Sequence, residues 1–374
     1  MLPYMSAPTL NPSEQAAESA GQASRTAALT PVDYFRGLAI LEVVLHHASG
    51  AARRYAEDGS TVLLFLNILN RVLHFAVPGF LFLSAAVLTR SLLARPDYGR
   101  YFWRRVVRGA WPYLLWTVLY LLWSAWLGDR PWDDLLKPDK WQLWLGYGKG
   151  NYHLYFLLVA LESYLLLPFL LPLARARIRI SAALALGLAV QIGIYWANKY
   201  YLHLLYPAST VLWYLAPVVL GAAVGGRWSE FQDWWKRRRG RVLLLTAAAL
   251  VLHLPMALAF LDGLQVSPWL YSASTWAYTT PMALVVLGAG YSLWRRGLAR
   301  WVGLLGGLSL QIYLIHPAIL EGLEHLLPSK SVENLDTVPA LPMLLLMVML
   351  SLTVPLGLAR LLAWLRLSGV FFGR

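Results

Sequence analysis

The hydrophobic pattern of the chain is a series of long apolar segments separated by short polar or charged connections. A helix that crosses a bilayer needs about 20 predominantly apolar residues, and ten segments approach that length. They lie at 32–51, 74–93, 106–127, 154–173, 180–202, 209–225, 242–261, 272–293, 304–326 and 339–362. A further helix at 61–73 is expected to lie at or near the membrane interface. The pattern predicts an all-α fold, a polytopic membrane bundle of about ten transmembrane helices.

Composition supports this class and indicates how the net positive charge should be interpreted. The chain is 58% hydrophobic and 14% charged, whereas a soluble domain carries about 25% charged residues. Because the basic residues alternate with apolar segments, the net charge of +13 indicates membrane topology and excludes a nucleic-acid partner. There is no cysteine, so disulfides, a thiolate nucleophile and a Cys-ligated metal are excluded.

Domain boundaries and orientation follow from the same pattern. Residues 1–29 have no apolar run and predict a disordered cytoplasmic tail, 30–367 form one transmembrane domain, and 368–374 form a second cytoplasmic tail. Most of the 32 lysines and arginines fall on one side of the predicted bundle. By the positive-inside rule, that side is cytoplasmic and holds both termini. The cluster Lys-Arg-Arg-Arg at 236–239 is expected to record topology or to contact anionic lipid.

The longest predicted outer loop, at 128–152, is rich in tryptophan and aspartate. Aromatic faces beside carboxylates, such as Trp132 beside Asp133, are typical of sugar binding. The simpler interpretation is an interfacial tryptophan belt on a short amphipathic helix, and that interpretation is favoured.

The first predicted span carries ionisable residues, which inside a membrane indicate function by default. Arg36 and His47 are eleven residues apart, so on a helix they lie on one face with a rise of about 16 Å. Asp33 is one turn before Arg36 and can pair with it. Each residue alone has a simpler explanation, since Arg36 can be a snorkelling anchor and His47 an interfacial histidine. Together on one stripe, the functional and structural interpretations are about equally supported.

Other polar residues are expected to lie in the layer of His47. His74 and His153 open the second and fourth spans at the outer side, and His316 falls in the outer half of the ninth. Glu162 lies about 13 Å into the fourth span, where an unpaired carboxylate is unfavourable. Pro317 is expected to kink its helix. The alternative is a set of interhelical hydrogen bonds that lock the bundle, and it is slightly favoured for His153 and Glu162.

The predicted inner face carries a second candidate site. Arg104 and Arg108 are one turn apart, a spacing that suits a cytosolic polyphosphate because guanidinium groups bind phosphate bidentately. The alternative, favoured for these residues alone, is the positive-inside rule. A metal is not expected, because the histidines are scattered and the rings of the adjacent His46 and His47 diverge on a helix.

Several segments together resemble the acyltransferase 3 family of integral membrane acyltransferases over residues 30–366. The family's mark is an arginine, ten residues and a histidine in the first span, matched by Arg36 and His47. The matching segments are DYFRGLA at 33–39, VPGFLFLS at 77–84, RRVVR at 104–108 before Pro112 and Tyr113, YHLYF at 152–156 with Tyr164 and Pro168, and SLQIYLIHP at 309–317. The chain departs from the family at Ala85, where glycine is common, and at Glu162, where a neutral residue is expected.

The resemblance implies transfer of an acyl group, usually acetyl, from cytosolic acyl-coenzyme A to a hydroxyl of a surface glycan or glycolipid. It implies a multi-pass protein of a bacterial plasma membrane, with no metal. In that scheme the coenzyme phosphates lie on Arg36, Arg104 and Arg108, and His47 is the general base. The candidate oxyanion donors are Ser84, Tyr313 and His316. The candidate acceptor-binding residues are His153, Tyr155, Glu162 and Trp132.

Another class of protein fits many of the same features. A transporter of a glycan or lipid-linked precursor would also have ten spans, a polar stripe and an outer aromatic loop. Transporters commonly contain inverted repeats and broken helices, and no repeat is visible in the sequence, which modestly favours the enzyme. A non-catalytic scaffold is disfavoured by the arginine and histidine within the first span.

Overall fold

The computed structural model describes residues 29–327 and 339–373, and within these residues it is helical with no β-strand. The helices are α1 (Pro31–Ala52), α2 (Thr61–Val72), α3 (Ala76–Ala94), α4 (Tyr98–Arg105), α5 (Trp111–Leu127), α6 (Pro138–Gly146), α7 (Tyr155–Arg175), α8 (Ile180–Ala197), α9 (Leu215–Gly226), α10 (Phe231–Leu261), α11 (Pro268–Arg296), α12 (Arg300–Gly307), α13 (Ser309–Leu326), α14 (Ala340–Trp364) and α15 (Ser368–Phe372). The all-α prediction is confirmed.

Each of the ten predicted spans coincides with helix in the described residues, and 61–73 coincides with α2. Five helical stretches are long and apolar enough to cross a membrane, or six if the bent pair α12–α13 is one crossing. The number of crossings therefore stays a prediction. Polar residues explain part of the difference, since α1 carries Asp33, Arg36 and Glu42. Such a helix is suited to the interior of a bundle more than to contact with lipid.

The ninth predicted span is two helices rather than one. Helices α12 and α13 meet at Leu308 with a bend of 81°. The bend does not lie at Pro317, which was expected to kink the helix and instead lies inside α13. The hydroxyl of Tyr120 accepts the N–H of Ala318 at 3.2 Å, a contact from α5 beside the proline. The break turns the start of α13 into the bundle interior.

A second irregularity lies between α4 and α5. Val106–Ala110 forms a π-helical turn, which is wider than an α-turn. The extra residue in this turn changes the angular spacing of neighbouring side chains. The arginines at 104, 105 and 108 therefore do not follow the α-helical spacing that the sequence alone suggested.

Helix α1 lies at the centre of the bundle, packed against α2, α3 and α11 to α14. Its start is fixed by a capping box, in which Thr30 accepts the N–H of Asp33 and Asp33 accepts the N–H of Thr30. Glycines let α1 cross α12 with the two backbones in contact. A Cβ at Gly37 would overlap the carbonyl oxygen of Val302, and one at Gly306 would overlap that of Asp33.

The outward faces and the chain ends complete the arrangement. Helix α10 exposes large apolar side chains, such as Leu244 and Val251 at 70% each, which is expected of a lipid-facing helix.

Residues 368–372, predicted as part of a tail, form α15. Its carbonyls at Val370 and Phe371 accept the indole N–H groups of Trp111 and Trp116. The predicted N-terminal tail lies outside the described residues, except at its last position.

We expect Gly306→Ala to destabilise the bundle, because an added methyl must push α1 and α12 apart. Overpacking of this kind lowers the free energy of unfolding by about 1–3 kcal/mol. The measurement is the thermal midpoint of the purified protein in detergent. Gly357→Ala in α14 is the matched control, since a Cβ there meets nothing within 4 Å. Equal midpoints for the two variants would contradict the close crossing.

Candidate functional site

Histidines from four parts of the chain meet near the C-terminal end of α1, the end predicted to lie at the outer side. The ring centroid of His47 lies 5.1 Å from that of His46 and 5.4 Å from that of His316. His46 lies 5.2 Å from His74, and His153 lies 6.1 Å from His316. We refer to these five residues as the histidine layer. The prediction that His74, His153 and His316 share the layer of His47 is confirmed by these distances.

Hydrogen bonds fix the tautomers of several of these rings. Nδ1 of His46 donates to the carbonyl of Asn70 at 2.8 Å, and Nδ1 of His316 donates to that of Ile312 at 3.0 Å. Because a carbonyl oxygen only accepts, each ring carries its proton on Nδ1 when neutral. The buried Nε2 of His316 has no partner among the described residues. The imidazole ring of His47, at the centre of the layer, makes no hydrogen bond to another of the described residues.

His153 is held by a chain of polar contacts that begins in α13. The amide nitrogen of Asn151 donates to Glu321 at 2.7 Å, which turns its amide oxygen toward Nδ1 of His153 at 3.0 Å. Trp123 donates to the other oxygen of Glu321 at 3.0 Å. His153 therefore donates from Nδ1, and its buried Nε2 carries a lone pair when the ring is neutral. The arrangement of carboxylate, amide and imidazole orients the ring.

A polar cavity of about 340 Å³ opens beside the histidine layer, and we refer to it as the outer cavity. Its charged residues are Arg54, Glu321 and Glu324, with Arg54 bound to Glu324 at 2.7 Å. The ring of Tyr152 lies 4.9 Å from that of His47. The lining is completed by His46, His47, Gly50, Ala51, Asn70 and Leu320. It has the hydrogen-bonding groups that a sugar needs.

A second cavity, of about 230 Å³, lies against His46, His47, His74 and His153, and six tyrosine and tryptophan residues contribute to its lining. These are Tyr155, Trp213, Tyr214, Tyr271, Trp276 and Tyr313. We refer to it as the aromatic cavity. Glu42 also lines it and is 4% exposed. One of its oxygens accepts the N–H of Phe75 at 3.2 Å, and the other has no partner among the described residues.

Arginines gather at the N-terminal end of α1, which is predicted to face the cytoplasm, around a cavity of about 550 Å³ that we refer to as the inner cavity. Arg36, Arg105 and Arg108 line it, together with Ser84 and the start of α13 at Ser309 and Leu310. The only carboxylate near Arg36 within the described residues is Asp33, at 4.0 Å. Three guanidinium groups and a helix N-terminus make the inner cavity suitable for an anion.

Three neighbouring aromatic rings, those of Tyr313, Phe156 and Phe80, line the inner cavity, and we refer to them as the aromatic wall. Among the residues described, Tyr313 alone lines both the inner and the aromatic cavity. Its ring lies 5.2 Å from that of Phe156, which lies 5.9 Å from that of Phe80. The hydroxyl of Tyr313 donates to the carbonyl of His153. Arg36 and His47 thus share one continuous helix, but they open into different cavities.

Some of the predicted site residues lie elsewhere. Arg104 is exposed and does not line the inner cavity, whereas its neighbour Arg105 does. Glu162 accepts the N–H of Val211 at 2.6 Å and so holds the turn before α9. Trp132 is 55% exposed on the outer loop. Ser84 lies in the inner cavity, away from His47, whereas Tyr155 and His153 line the aromatic cavity.

Other residues of the site were not identified from the sequence. Glu42 and Glu321 carry the same signal as His47, an ionisable group within an apolar segment. Arg105 is adjacent in sequence to Arg104, which was predicted to bind phosphate. Its guanidinium lies 5.2 Å from the ring centre of Tyr164. Asn70 carries only the weak signal of a polar residue on an apolar helix, and its role depends on its position against His46.

The outer loop contains a short helix, α6, in agreement with the favoured interpretation. Its Trp144 is 3% exposed and lies 4.6 Å beneath the guanidinium of Arg130. Hydrogen bonds from Lys137 and Lys140 hold the pKa of the Asp134 carboxyl below its usual value. These contacts fix the loop locally.

No group of three or more His, Asp or Glu side chains in residues 29–327 and 339–373 could hold a metal ion.

The chain was also compared with known proteins. Residues 30–360 match the acyltransferase 3 family model, which describes an acyltransferase domain. Comparisons with curated proteins and with solved structures give no match.

The aromatic wall predicts which side of the membrane has access to His47. Since the chain has no cysteine, His47→Cys gives a single thiol whose modification by a membrane-impermeant maleimide can be followed in oriented vesicles. We expect modification from the outer side only, and from both sides once Tyr313→Ala is added. Arg36→Cys is the control and is expected to react from the inner side. Inner-side modification of His47→Cys with Tyr313 intact would contradict the wall.

Proposed function

This chain belongs to the acyltransferase 3 family, and on that premise we propose that it acylates a surface or exported glycan. The donor is a cytosolic acyl-coenzyme A, with an acetyl group as the usual cargo of this family. The acceptor is a sugar hydroxyl presented at the outer side of the membrane. The observation that carries the proposal is that α1 joins an arginine-lined cavity at one end to the histidine layer at the other.

The inner cavity is the proposed donor site. Coenzyme A carries several phosphate groups, and Arg36, Arg105 and Arg108 supply guanidinium groups that can bind them bidentately. The N-terminus of α13 adds a positive partial charge at Ser309. Arg104, on the exposed surface beside this cavity, remains a candidate for an outer phosphate contact.

The pantetheine arm would carry the acyl group from the inner cavity to the histidine layer. The rise from Arg36 to His47 is about 16 Å along the helix, which an extended arm can span. Tyr313 lies between the two cavities, so its ring must turn aside for the arm to pass. This places a conformational step before the chemistry.

In the proposed reaction, His47 is the general base. The acceptor hydroxyl oxygen attacks the thioester carbon and forms a C–O bond, while His47 takes the hydroxyl proton. The resulting oxyanion collapses, the C–S bond breaks, and the departing thiolate takes the proton from His47. The products are an ester on the sugar and free coenzyme A. An imidazole suits both transfers because its unperturbed pKa is close to neutral pH.

The neighbouring residues have supporting roles in this scheme. Tyr313 is proposed to donate to the oxyanion after exchanging its bond to the carbonyl of His153. His316 has an N–H to give only when protonated, since its Nδ1 is used by Ile312. Ser84 is placed to meet the thioester in the inner cavity before transfer. His153 is proposed to contact the acceptor, held by Asn151.

The acceptor is proposed to enter through the outer cavity. Glu321, Glu324 and Asn70 supply groups that hydrogen-bond sugar hydroxyls, and Tyr152 supplies a ring face beside His47. The carboxylates disfavour a strongly anionic sugar at this position. Trp132, exposed on the outer loop, is proposed to contact the glycan further from the reacting hydroxyl.

A transporter without covalent chemistry is the alternative function, and the broken pair α12–α13 is a feature common in transporters. Membership of an acyltransferase family favours the enzyme. The deciding experiment supplies acetyl-coenzyme A and base-treated surface polysaccharide, which lacks O-acyl groups, to the purified protein. Because the chain has no cysteine, every new thiol reports coenzyme A. Acceptor-dependent thiol release supports the enzyme, and its absence with transport intact supports the alternative.

We expect His47→Ala to lower the rate of acyl transfer by about 10²–10⁴-fold, because the proton on the attacking hydroxyl loses its acceptor. The amount of folded protein in the membrane should be unchanged, as judged by size-exclusion chromatography. The control is His203→Asn, an exposed histidine with φ of 47°, a conformation that asparagine tolerates. Normal transfer by the His47 variant would refute its role as base.

Arg36→Lys should raise the KM for the donor about tenfold while leaving the acceptor KM unchanged. Lysine keeps the charge but loses the bidentate contact with phosphate, and a hydrogen bond to a charged group contributes about 1.5–3 kcal/mol. Initial rates at varied acetyl-coenzyme A give the measurement. Arg95→Lys, outside the inner cavity, is the control. An unchanged donor KM would show that Arg36 is a topology anchor only.

A further inference from the structure

A second arginine-rich cavity lies on the same side of the bundle, separate from the inner cavity. Its volume is about 810 Å³, and we refer to it as the basic cleft. Five arginines and two carboxylates line it: Arg179, Arg227, Arg237, Arg238, Arg241, Glu230 and Asp233. The arginines come from three parts of the chain, just before α8, just after α9, and along the first turns of α10.

Hydrogen bonds of Arg227 hold part of this lining in place. Nε of Arg227 donates to the carbonyls of Arg177 at 2.7 Å and Ile178 at 2.9 Å, and Nη1 donates to Glu230 at 2.6 Å. Glu230 also accepts from Arg177. The connection between α7 and α8 is thereby tied to the connection between α9 and α10. The walls of the cleft keep a defined spacing because of these bonds.

Both carboxylates of the cleft are already paired with cations. Glu230 pairs with Arg177 and Arg227, and Asp233 pairs with Lys236 at 3.0 Å. By contrast, Arg179, Arg238 and Arg241 are exposed and have no carboxylate within 4.0 Å in the described part of the chain. The cleft therefore holds uncompensated positive charge.

Apart from Ser181 and Ser229, the remaining lining is apolar, and it leads toward the lipid-facing side of α10. It includes Leu184, Val242, Leu245 and Leu284. Leu245 is 63% exposed and Leu252, two turns further along the same face, is 68% exposed, so the apolar surface continues along the helix. Arg238 and Leu245 are seven residues apart, two helical turns and about 10 Å along the axis. The cleft thus passes from guanidinium groups to aliphatic surface over about 10 Å.

We propose that the basic cleft binds the headgroup of an anionic membrane phospholipid, with an acyl chain lying along α10. The phosphate is bound by Arg179, Arg238 and Arg241, and the chain contacts the leucines that continue from the cleft. The positive-inside rule accounts for the sign of these charges but not for their convergence on one cavity with an apolar floor. A free phosphate would leave that floor uncovered. The proposal is independent of the acyltransfer chemistry.

The test counts lipids retained by the full-length protein in neutral detergent, using native mass spectrometry. The wild type is titrated with phosphatidylglycerol and, separately, with zwitterionic phosphatidylcholine. The cleft variant carries Arg179→Gln, Arg238→Gln and Arg241→Gln. The control variant carries Arg95→Gln, Arg100→Gln and Arg296→Gln, which remove the same charge from exposed positions outside the cleft.

We expect the wild type and the control to retain one phosphatidylglycerol in preference to phosphatidylcholine. The cleft variant should bind phosphatidylglycerol about 100-fold more weakly, because each arginine near an anionic headgroup contributes about a factor of five. Thermal midpoints of all three proteins check that they are folded. The comparison of lipids on the wild type needs no variant, so it tests the proposal even if the cleft variant is unstable.

Three results would overturn the proposal. The first is equal retention of phosphatidylglycerol by the cleft and control variants, and the second is no preference for phosphatidylglycerol over phosphatidylcholine in the wild type. The third is displacement of the bound lipid by glycerol 3-phosphate at the same concentration. This third result would mean that the arginines bind a soluble phosphate and that the apolar floor is not used.

Discussion

The arrangement of this bundle depends on keeping one polar helix at its centre. Helix α1 carries Arg36, Glu42 and His47, and an ionisable group facing hydrocarbon is strongly unfavourable. Surrounding helices remove that exposure, and the backbone contact at Gly37 and Gly306 leaves no room for side chains between α1 and α12. The rotation of α1 is fixed by this crossing. Its polar side chains consequently face cavities inside the protein.

The cavities along α1 differ in charge in a way that suits two different ligands. The inner cavity has three arginines and the N-terminus of α13, whereas the outer cavity has two glutamates, one of them paired with Arg54. The first lining favours an anion, and the second disfavours one. A pore selective for one ion would be expected to have the same sign of charge along its length. The asymmetry fits a family whose members join two substrates.

The sequence predicted the helices well because long apolar segments leave few alternatives to a helix in a bilayer. It also predicted the histidine layer, since depth along a helix follows from residue number. Two details depended on geometry that residue spacing does not contain. Arg105 lines the inner cavity where Arg104 was expected, beside the π-turn at Val106–Ala110, and the bend at Leu308 replaced the expected kink at Pro317. Glu321 orients His153 through Asn151, and this depends on α13 packing against the turn that contains Asn151.

The aromatic wall at Tyr313 has a consequence for the electrical state of the cell. Cavities that open to opposite sides of a membrane would, if joined, form a water-filled route for protons and other ions. Among the described residues Tyr313 alone lines both the inner and the aromatic cavity, so a route between them has to pass its ring. A ring at that position can limit the leakage of ions between two polar cavities of one bundle.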